Sequence, residues 1–163
     1  MANRAVVAVF DTQNQAYDAA AALQRLNDAD TIVVKRGAIV SKDAKGNLAV
    51  PDTQMGGPWG LLGGGLIGGL MGALLGPAGA AAGVAAGTAA AAGAAVGAAT
   101  GAAAGGSADL LALGLSSGFV DEVSADLNPG QSALIAEVSE GSTEPVDAAV
   151  QQLRGRVHRE DLP

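Results

Sequence analysis

A single histidine and its acidic neighbours are the side chains best suited to hold a metal ion. The chain has one His and no Cys, and His158 precedes Glu160 and Asp161. Metal sites in proteins combine several His, Cys or carboxylate ligands at defined spacings. With no second His and no Cys to share an ion, we expect His158 to be a solvated side chain, and we predict no metal site.

Further carboxylates gather at Asp121, Glu122 and Asp126. On a helix they would share one face, and with Asp109 they raise the hypothesis of a bound cation or a basic partner. Their spacing does not match the calcium-binding loop of an EF-hand. The pattern therefore favours a solvated helix face.

The sequence patterns for a catalytic nucleophile and for a phosphate-binding site are also weak. Ser107, Ser116 and Ser117 lie outside any nucleophile-elbow motif and have no evident histidine base. Residues 63–68 match GxGxxG, but the acidic ribose partner expected near position 88 is missing, and no Lys occurs between 53 and 108. We predict no catalytic residue, no nucleotide and no cofactor, and therefore a non-enzymatic protein.

Charge divides the 163-residue chain into three segments. Nine Lys and Arg against sixteen Asp and Glu give a net charge of -7, which argues against binding nucleic acid. Residues 53–108 contain no ionisable side chain, whereas residues 109–163 hold three basic and ten acidic groups. The predicted segments are 1–52, the charge-free 53–108, and the acidic 109–163.

The first flank predicts a strand over 5–10, a helix from Ala16 to Leu26, a strand over 32–40 and a short strand over 48–50. Thr12 and Gln15 have the spacing of a capping box at the start of that helix. Residues 43–46 provide turn chemistry between the last two strands. The flank therefore has the order β-α-β-β.

The second flank predicts a helix over 116–127, a strand over 132–138, a helix with apolar Val146, Ala149, Val150 and Leu153, and a strand over 156–159. Pro129 ends the first helix because proline cannot continue it, and Ser142 or Thr143 caps the second. With the first flank, this order predicts an α+β fold. More specifically, it predicts a ferredoxin-like sandwich with an inserted glycine-zipper α-helical hairpin.

Glycine recurs at every fourth residue along the charge-free segment, with two breaks, between 76 and 79 and between 87 and 93. Residues four apart share one face of a helix, so each series forms a groove that another backbone can approach closely. Each Gly also costs a solvated helix up to about 1 kcal/mol relative to Ala, so these helices need neighbours or lipid. The positions predicted to mediate helix packing and oligomerisation are Gly60, Gly64, Gly68, Gly72, Gly76, Gly79, Gly83, Gly87, Gly93, Gly97, Gly101 and Gly105.

Pro77 divides the segment into two predicted helical arms, residues 59–76 and 78–104. At 1.5 Å per residue they would span roughly 27 and 40 Å, and a bilayer has a hydrocarbon core of about 30 Å. The Leu-rich first arm predicts a membrane helix, with Trp59 as an anchor at the membrane interface. The second arm, mostly Ala and Gly, is expected to lie inside a bundle with hairpins from other copies.

Several motifs resemble those of the DUF1269 family, small bacterial and archaeal proteins of unknown function that are often labelled membrane or stress-associated. The resemblance covers essentially the whole chain. It implies the ferredoxin-like body and the inserted hairpin, and it carries no family chemistry onto residues here. The motifs are residues 6–11 (VVAVFD), 37–40 (GAIV), 42–46 (KDAKG), 56–63 (GGPWGLLG) and 127–134 (LNPGQSAL).

Three functional hypotheses follow. The first is a structural protein that self-associates through its hairpins into a membrane-associated homo-oligomer, with the lipid bilayer as a second partner. Because all Lys and Arg lie outside the hairpin, both termini are then expected in the cytoplasm. The second is a soluble cytoplasmic particle, such as a shell, ring or filament, with the hairpins buried against each other. The third is a regulatory module that binds a small molecule.

Overall fold

The computed structural model describes residues 1–45, 48–49 and 114–163, and these residues form an α+β fold. The predicted order of strands and helices in the two flanks is confirmed. The elements are β1 (Ala2–Phe10), α1 (Gln13–Asp28), β2 (Ile32–Lys42), β3 (Leu48–Ala49), α2 (Ser117–Asp126), β4 (Ser132–Glu140), α3 (Glu144–Gln152) and β5 (Arg156–Asp161).

The described strands form one antiparallel sheet in the order β3-β2-β4-β1-β5. Four strands are long, and the two residues of β3 extend one edge by pairing with Ser41 and Lys42. β4 lies between β1 and β2, and β1 lies between β4 and β5, with every pair antiparallel. Each β-α-β unit, β1-α1-β2 and β4-α3-β5, is therefore split by a strand of the other unit.

Local sequence sets the helix boundaries. The capping box at Thr12 is confirmed, because Thr12 Oγ1 accepts from the Gln15 amide and the Gln15 side chain accepts from the Thr12 amide. At the start of α2, Ser116 Oγ accepts a hydrogen bond from the Phe119 amide. Beyond α2, Gly130 has a φ of 87°, a left-handed conformation that glycine adopts without strain.

Helices α1 and α3 pack on one face of the sheet. Small Ala residues along α1 let it approach the strands closely, while β-branched and aromatic side chains of the sheet fill the space between. The buried residues of this layer include Val6, Ala8, Phe10, Ala16, Ala19, Ala20, Leu23, Ile32, Val34, Ile39, Leu134, Ala136, Val138, Val146 and Val150.

The opposite face is buried as well, which the alternation in β4 did not predict. Leu134, Ala136 and Val138 were expected on one buried side, but Ala133 and Ile135 are also fully buried. On α2, an apolar stripe supplies a second buried layer, including Phe119, Val120, Val123 and Leu127, with Leu115 just before the helix. The neighbouring strands β1 and β4 are therefore buried on both faces over most of their length, and they contain near-continuous apolar runs.

The two described residues nearest to the charge-free segment, Ala49 and Gly114, lie at opposite ends of the sheet. At one end, Ala49 pairs with Ser41 of β2. Ser41 pairs with Ser132 of β4, which in turn pairs with Phe10 of β1. At the other, Gly114 contacts Pro163, and the amide of Leu162 donates to the carbonyl of Asn3. Seven residues of β1, roughly 23 Å at 3.3 Å per residue, separate these two levels.

The prediction of a transmembrane hairpin is wrong for the structure as described. Among residues 1–45, 48–49 and 114–163, no helix combines the length and apolar character needed to cross a bilayer. The longest of these, α1, has 16 residues and rises about 24 Å, and it carries Asp18, Arg25 and Asp28. Residues 53–108, where the hairpin, the glycine series and Trp59 were placed, lie outside the described residues.

Candidate functional site

Strand β5 holds two groups of charged side chains, one on each face of the sheet. The strand register places Arg156, His158 and Glu160 opposite Val9, Val7 and Ala5 of β1, on the face that α2 covers. Because side chains alternate along a strand, Arg159 and Asp161 lie on the face that α1 and α3 cover. Each group forms a separate ionic cluster.

The first cluster, which we call the α2 clamp, consists of Glu122, Asp126, Arg156 and His158. The two carboxylate oxygens of Asp126 contact different residues of β5. Oδ1 accepts a hydrogen bond from Arg156 Nε at 2.6 Å, and Oδ2 lies 2.7 Å from His158 Nε2. Glu122 approaches the other ring nitrogen, with 3.9 Å between its Oε2 and His158 Nδ1. The clamp therefore holds the last turn of α2 against β5.

A further hydrogen bond holds the start of α2. Ser116 Oγ, which caps the helix, donates to Glu160 Oε2 at 3.2 Å. Arg156 also lies 4.0 Å from Asp11 at the end of β1. Contacts at both ends of α2 therefore fix this helix along β5, antiparallel to the strand.

The structure corrects two expectations at the clamp. His158 was predicted to be solvated, but its side chain is only 18% exposed and hydrogen-bonds Asp126. Asp126 was predicted on a solvated helix face, but it is 21% exposed, whereas Glu122 is 73% exposed. Alternation along a strand is the only local signal for a shared face of Arg156 and His158. Their common partner, Asp126, is 30 and 32 residues away in sequence, so local patterns could not identify it.

The clamp lowers the pKa of Asp126. Burial alone would raise this pKa. The hydrogen bonds from His158 and Arg156, together with the positive charges of these two side chains, lower it by more than burial raises it. A carboxylate whose pKa is lowered on folding stabilises the folded state above its unfolded pKa of about 4. That contribution is lost as the pH falls through the lower pKa of the folded state.

We therefore expect Asp126→Asn to weaken the acid dependence of stability. The measurement is the free energy of unfolding by urea at several pH values from 6 down to 2. In the parent chain stability declines more steeply across the acid limb than in Asp126→Asn, because the variant has no carboxylate to protonate at this position. Asp121→Asn, on the exposed side of the same helix, controls for the loss of one acidic group. Equal slopes in the parent chain and Asp126→Asn would contradict the stabilising role of the clamp.

The second cluster, which we call the Glu140 network, surrounds a buried carboxylate at the end of β4. The Glu140 side chain is 0% exposed, and its Oε1 accepts from Arg159 Nε at 2.7 Å and from Arg4 Nη1 at 3.2 Å. Arg159 Nη1 also donates to Asp147 of α3 at 2.8 Å, and Arg4 Nε donates to Asp161 at 2.6 Å. The network thereby ties β1, β4, β5 and α3 together.

An open depression of about 480 Å³ adjoins this network, lined by Arg4, Thr143, Arg159, Glu160 and Asp161. Hydrogen bonds to Asp161 and then to Glu140 raise the pKa of Arg4 above its ordinary value, so the Arg4 guanidinium stays charged. Within the described residues, Glu140 Oε2 and Arg159 Nη2 are buried without a hydrogen-bond partner. Such atoms reduce the net stabilisation that a buried ion pair provides.

Neither cluster has the ligand set of a metal centre: the described residues contain no group of three or more His, Asp or Glu side chains placed to hold an ion. Ser116, a candidate nucleophile in the sequence, bonds Glu160 and caps α2. The clusters instead join secondary-structure elements. Trp59 and the twelve glycines predicted to mediate packing lie outside the described residues.

Comparison with known proteins gives no match. No family model matches the chain, and neither a curated protein nor a solved structure matches it. The resemblance to the DUF1269 family therefore stays a prediction from the motifs.

Proposed function

We propose that this protein is a non-enzymatic structural protein that assembles into a homo-oligomer through its glycine-rich segment. The observation that carries the proposal is the 56-residue run without an ionisable side chain, in which glycine recurs every fourth residue. Such a surface is suited to close backbone packing. The assembly consists of protein alone, in which the segments of several copies bury one another.

The described body supports a structural role because its hydrophobic core is built within one chain. Strands β1 and β4 are buried on both faces over most of their length, and the charged clusters bond partners within the same chain. The body therefore needs no second copy to complete its core. The glycine-rich segment, in contrast, is expected to need a second copy. Repeated Gly lowers the stability of an isolated helix and favours association with neighbouring helices.

We further propose that the body is a ferredoxin-like sandwich. Two split β-α-β units, β1-α1-β2 and β4-α3-β5, interleave in the order β2-β4-β1-β5, with α1 and α3 on one face. This arrangement is typical of that architecture. β3, the glycine-rich segment and α2 then form a single insertion between the two units, and α2 packs along β5 on the second face.

Substitutions within the glycine series test the assembly. We expect Gly64→Leu, Gly68→Leu or Gly72→Leu to break the wild-type particle into smaller species, because a leucine side chain holds apart two backbones that meet at glycine. Mass photometry of purified full-length protein without detergent measures the change. Circular dichroism and the thermal unfolding midpoint report whether the body stays folded.

Ala73→Leu is the matched control, because it adds similar bulk to the same segment away from the glycine face. It should leave the particle mass unchanged. Particles of wild-type mass in all three glycine variants would contradict the proposed interface. Recovery of the wild-type protein only in carbonate-washed membranes would contradict an assembly made of protein alone.

A further inference from the structure

Strand β5 forms one edge of the sheet, and no described strand pairs with its outer side. Its six residues follow a regular register with β1, without a bulge or a proline. The opposite edge differs, since β2 has a register shift between Val34 and Arg36 and an exposed Lys35. A bulge and an exposed lysine both discourage pairing with another chain, so β5 is the more accessible edge.

Charge also distinguishes β5 from the rest of the molecule. The strand begins at Arg156, continues through Arg159 and ends with Glu160 and Asp161, so its charges cancel. The whole chain carries a net charge of -7, which opposes the approach of two copies. An edge that is basic at its start and acidic at its end is complementary to its own antiparallel copy.

We propose that β5 pairs with β5 of a second copy of this chain, antiparallel and about a two-fold axis at His158. In a symmetric antiparallel pair, residues directly opposite each other lie on the same face of the sheet. With the axis at His158, Arg156 therefore lies opposite Glu160 of the second copy, on the face that α2 covers. The Arg156–Glu160 pair therefore occurs twice, once on each side of the axis. The strand pairing joins the two sheets into one.

The side chains at this edge are accessible enough for such pairs. Arg156 is 42% exposed although it bonds Asp126, so part of its guanidinium remains available. Opposite charges at directly opposed positions stabilise an antiparallel strand pair, whereas like charges destabilise it. The partner is thus a second copy rather than an unrelated strand, because β5 provides both halves of the charge pattern.

Cysteine substitution tests the geometry directly, because the natural chain contains no Cys. His158→Cys places two thiols opposite each other at the axis, where Cα atoms are about 4.5–5.5 Å apart, within disulfide range. We expect mild oxidation of the full-length variant to double its mass on a non-reducing gel. Val157→Cys is the matched control: its Cα atoms would lie roughly 8 Å apart across the axis, too far for a disulfide.

Val33→Cys controls for random collision between exposed thiols, since Val33 on the opposite edge is 46% exposed. Equal cross-linking of Val157→Cys or Val33→Cys, or none in His158→Cys, would overturn the pairing. His158 and Arg156 both belong to the α2 clamp, so the thermal unfolding midpoint of each reduced cysteine variant reports whether the body stays folded. The double variant Arg156→Cys with Glu160→Cys tests the register a second time. It should form two intermolecular disulfides if Arg156 lies opposite Glu160.

The β5 pairing is independent of the glycine interface, and its test separates the two. When His158→Cys is combined with Gly68→Leu, we expect the disulfide dimer to form while the larger particle is lost. Loss of the disulfide with an intact particle would overturn the β5 pairing alone. An intact particle in the glycine variants, with the disulfide still formed, would overturn the glycine interface alone.

Discussion

Glu140→Ala is expected to lower the free energy of unfolding by about 3–5 kcal/mol, because removing the buried carboxylate takes from Arg159 and Arg4 the partner that they share. The Glu140 side chain is fully buried, and Arg159, its closest partner, is 17% exposed. Arg159 also joins β5 to α3 through its hydrogen bond to Asp147. Urea denaturation followed by circular dichroism measures the loss.

Asp161→Asn provides the control within the same network. Asp161 bonds Arg4 on the exposed side of the cluster, and its side chain is 79% exposed. Because water screens and replaces such a contact, Asp161→Asn should cost much less than Glu140→Ala. Similar losses in the two variants would show that burial of Glu140 does not determine the stability of this network.

Gly155→Ala is expected to destabilise the body by about 1–3 kcal/mol through overpacking, although alanine is normally a conservative replacement. A Cβ atom at this position would lie 2.6 Å from Val150 Cγ1 and 2.8 Å from Phe10 Cδ1, and would also meet Phe10 Cε1. Phe10 and Val150 are fully buried in the layer beneath α1 and α3, so neither can move aside freely. Thermal and urea unfolding both report the change.

Gly141→Ala is the matched control for Gly155→Ala. No atom lies within 4 Å of a Cβ built at Gly141. This variant should therefore retain wild-type stability or gain slightly, because alanine restricts the unfolded chain more than glycine does. A Gly155→Ala protein as stable as Gly141→Ala would contradict the close packing between the α3–β5 connection and Phe10.

Local sequence patterns were sufficient to predict the elements of the body. The apolar run before Asp11, the Thr12–Gln15 capping box and the proline after α2 each depend on residues close together in the chain. Burial of Ala133 and Ile135 on the second face of β4 was not predicted, because it is set by how the strands and helices pack together. Contacts of this kind depend on tertiary arrangement, which periodicity does not encode.

The charged clusters were missed for a related reason. Asp126 and His158 are 32 residues apart, and Arg4 and Glu140 are 136 apart, so neither pair has a local signature. Charged residues also occur mostly on solvated surfaces, which made a solvated His158 the more reasonable expectation. The strand register brings these residues together, and that register was known only from the folded sheet.

The most direct test of the proposed assembly is the mass of the full-length wild-type protein in detergent-free solution. Mass photometry across a dilution series, with a lysate prepared without detergent as the source, makes this measurement. We expect a discrete particle many times heavier than the 15.7 kDa chain. A chain that remains at 15.7 kDa, or stops at the dimer that β5 pairing alone would produce, would contradict assembly through the glycine-rich segment.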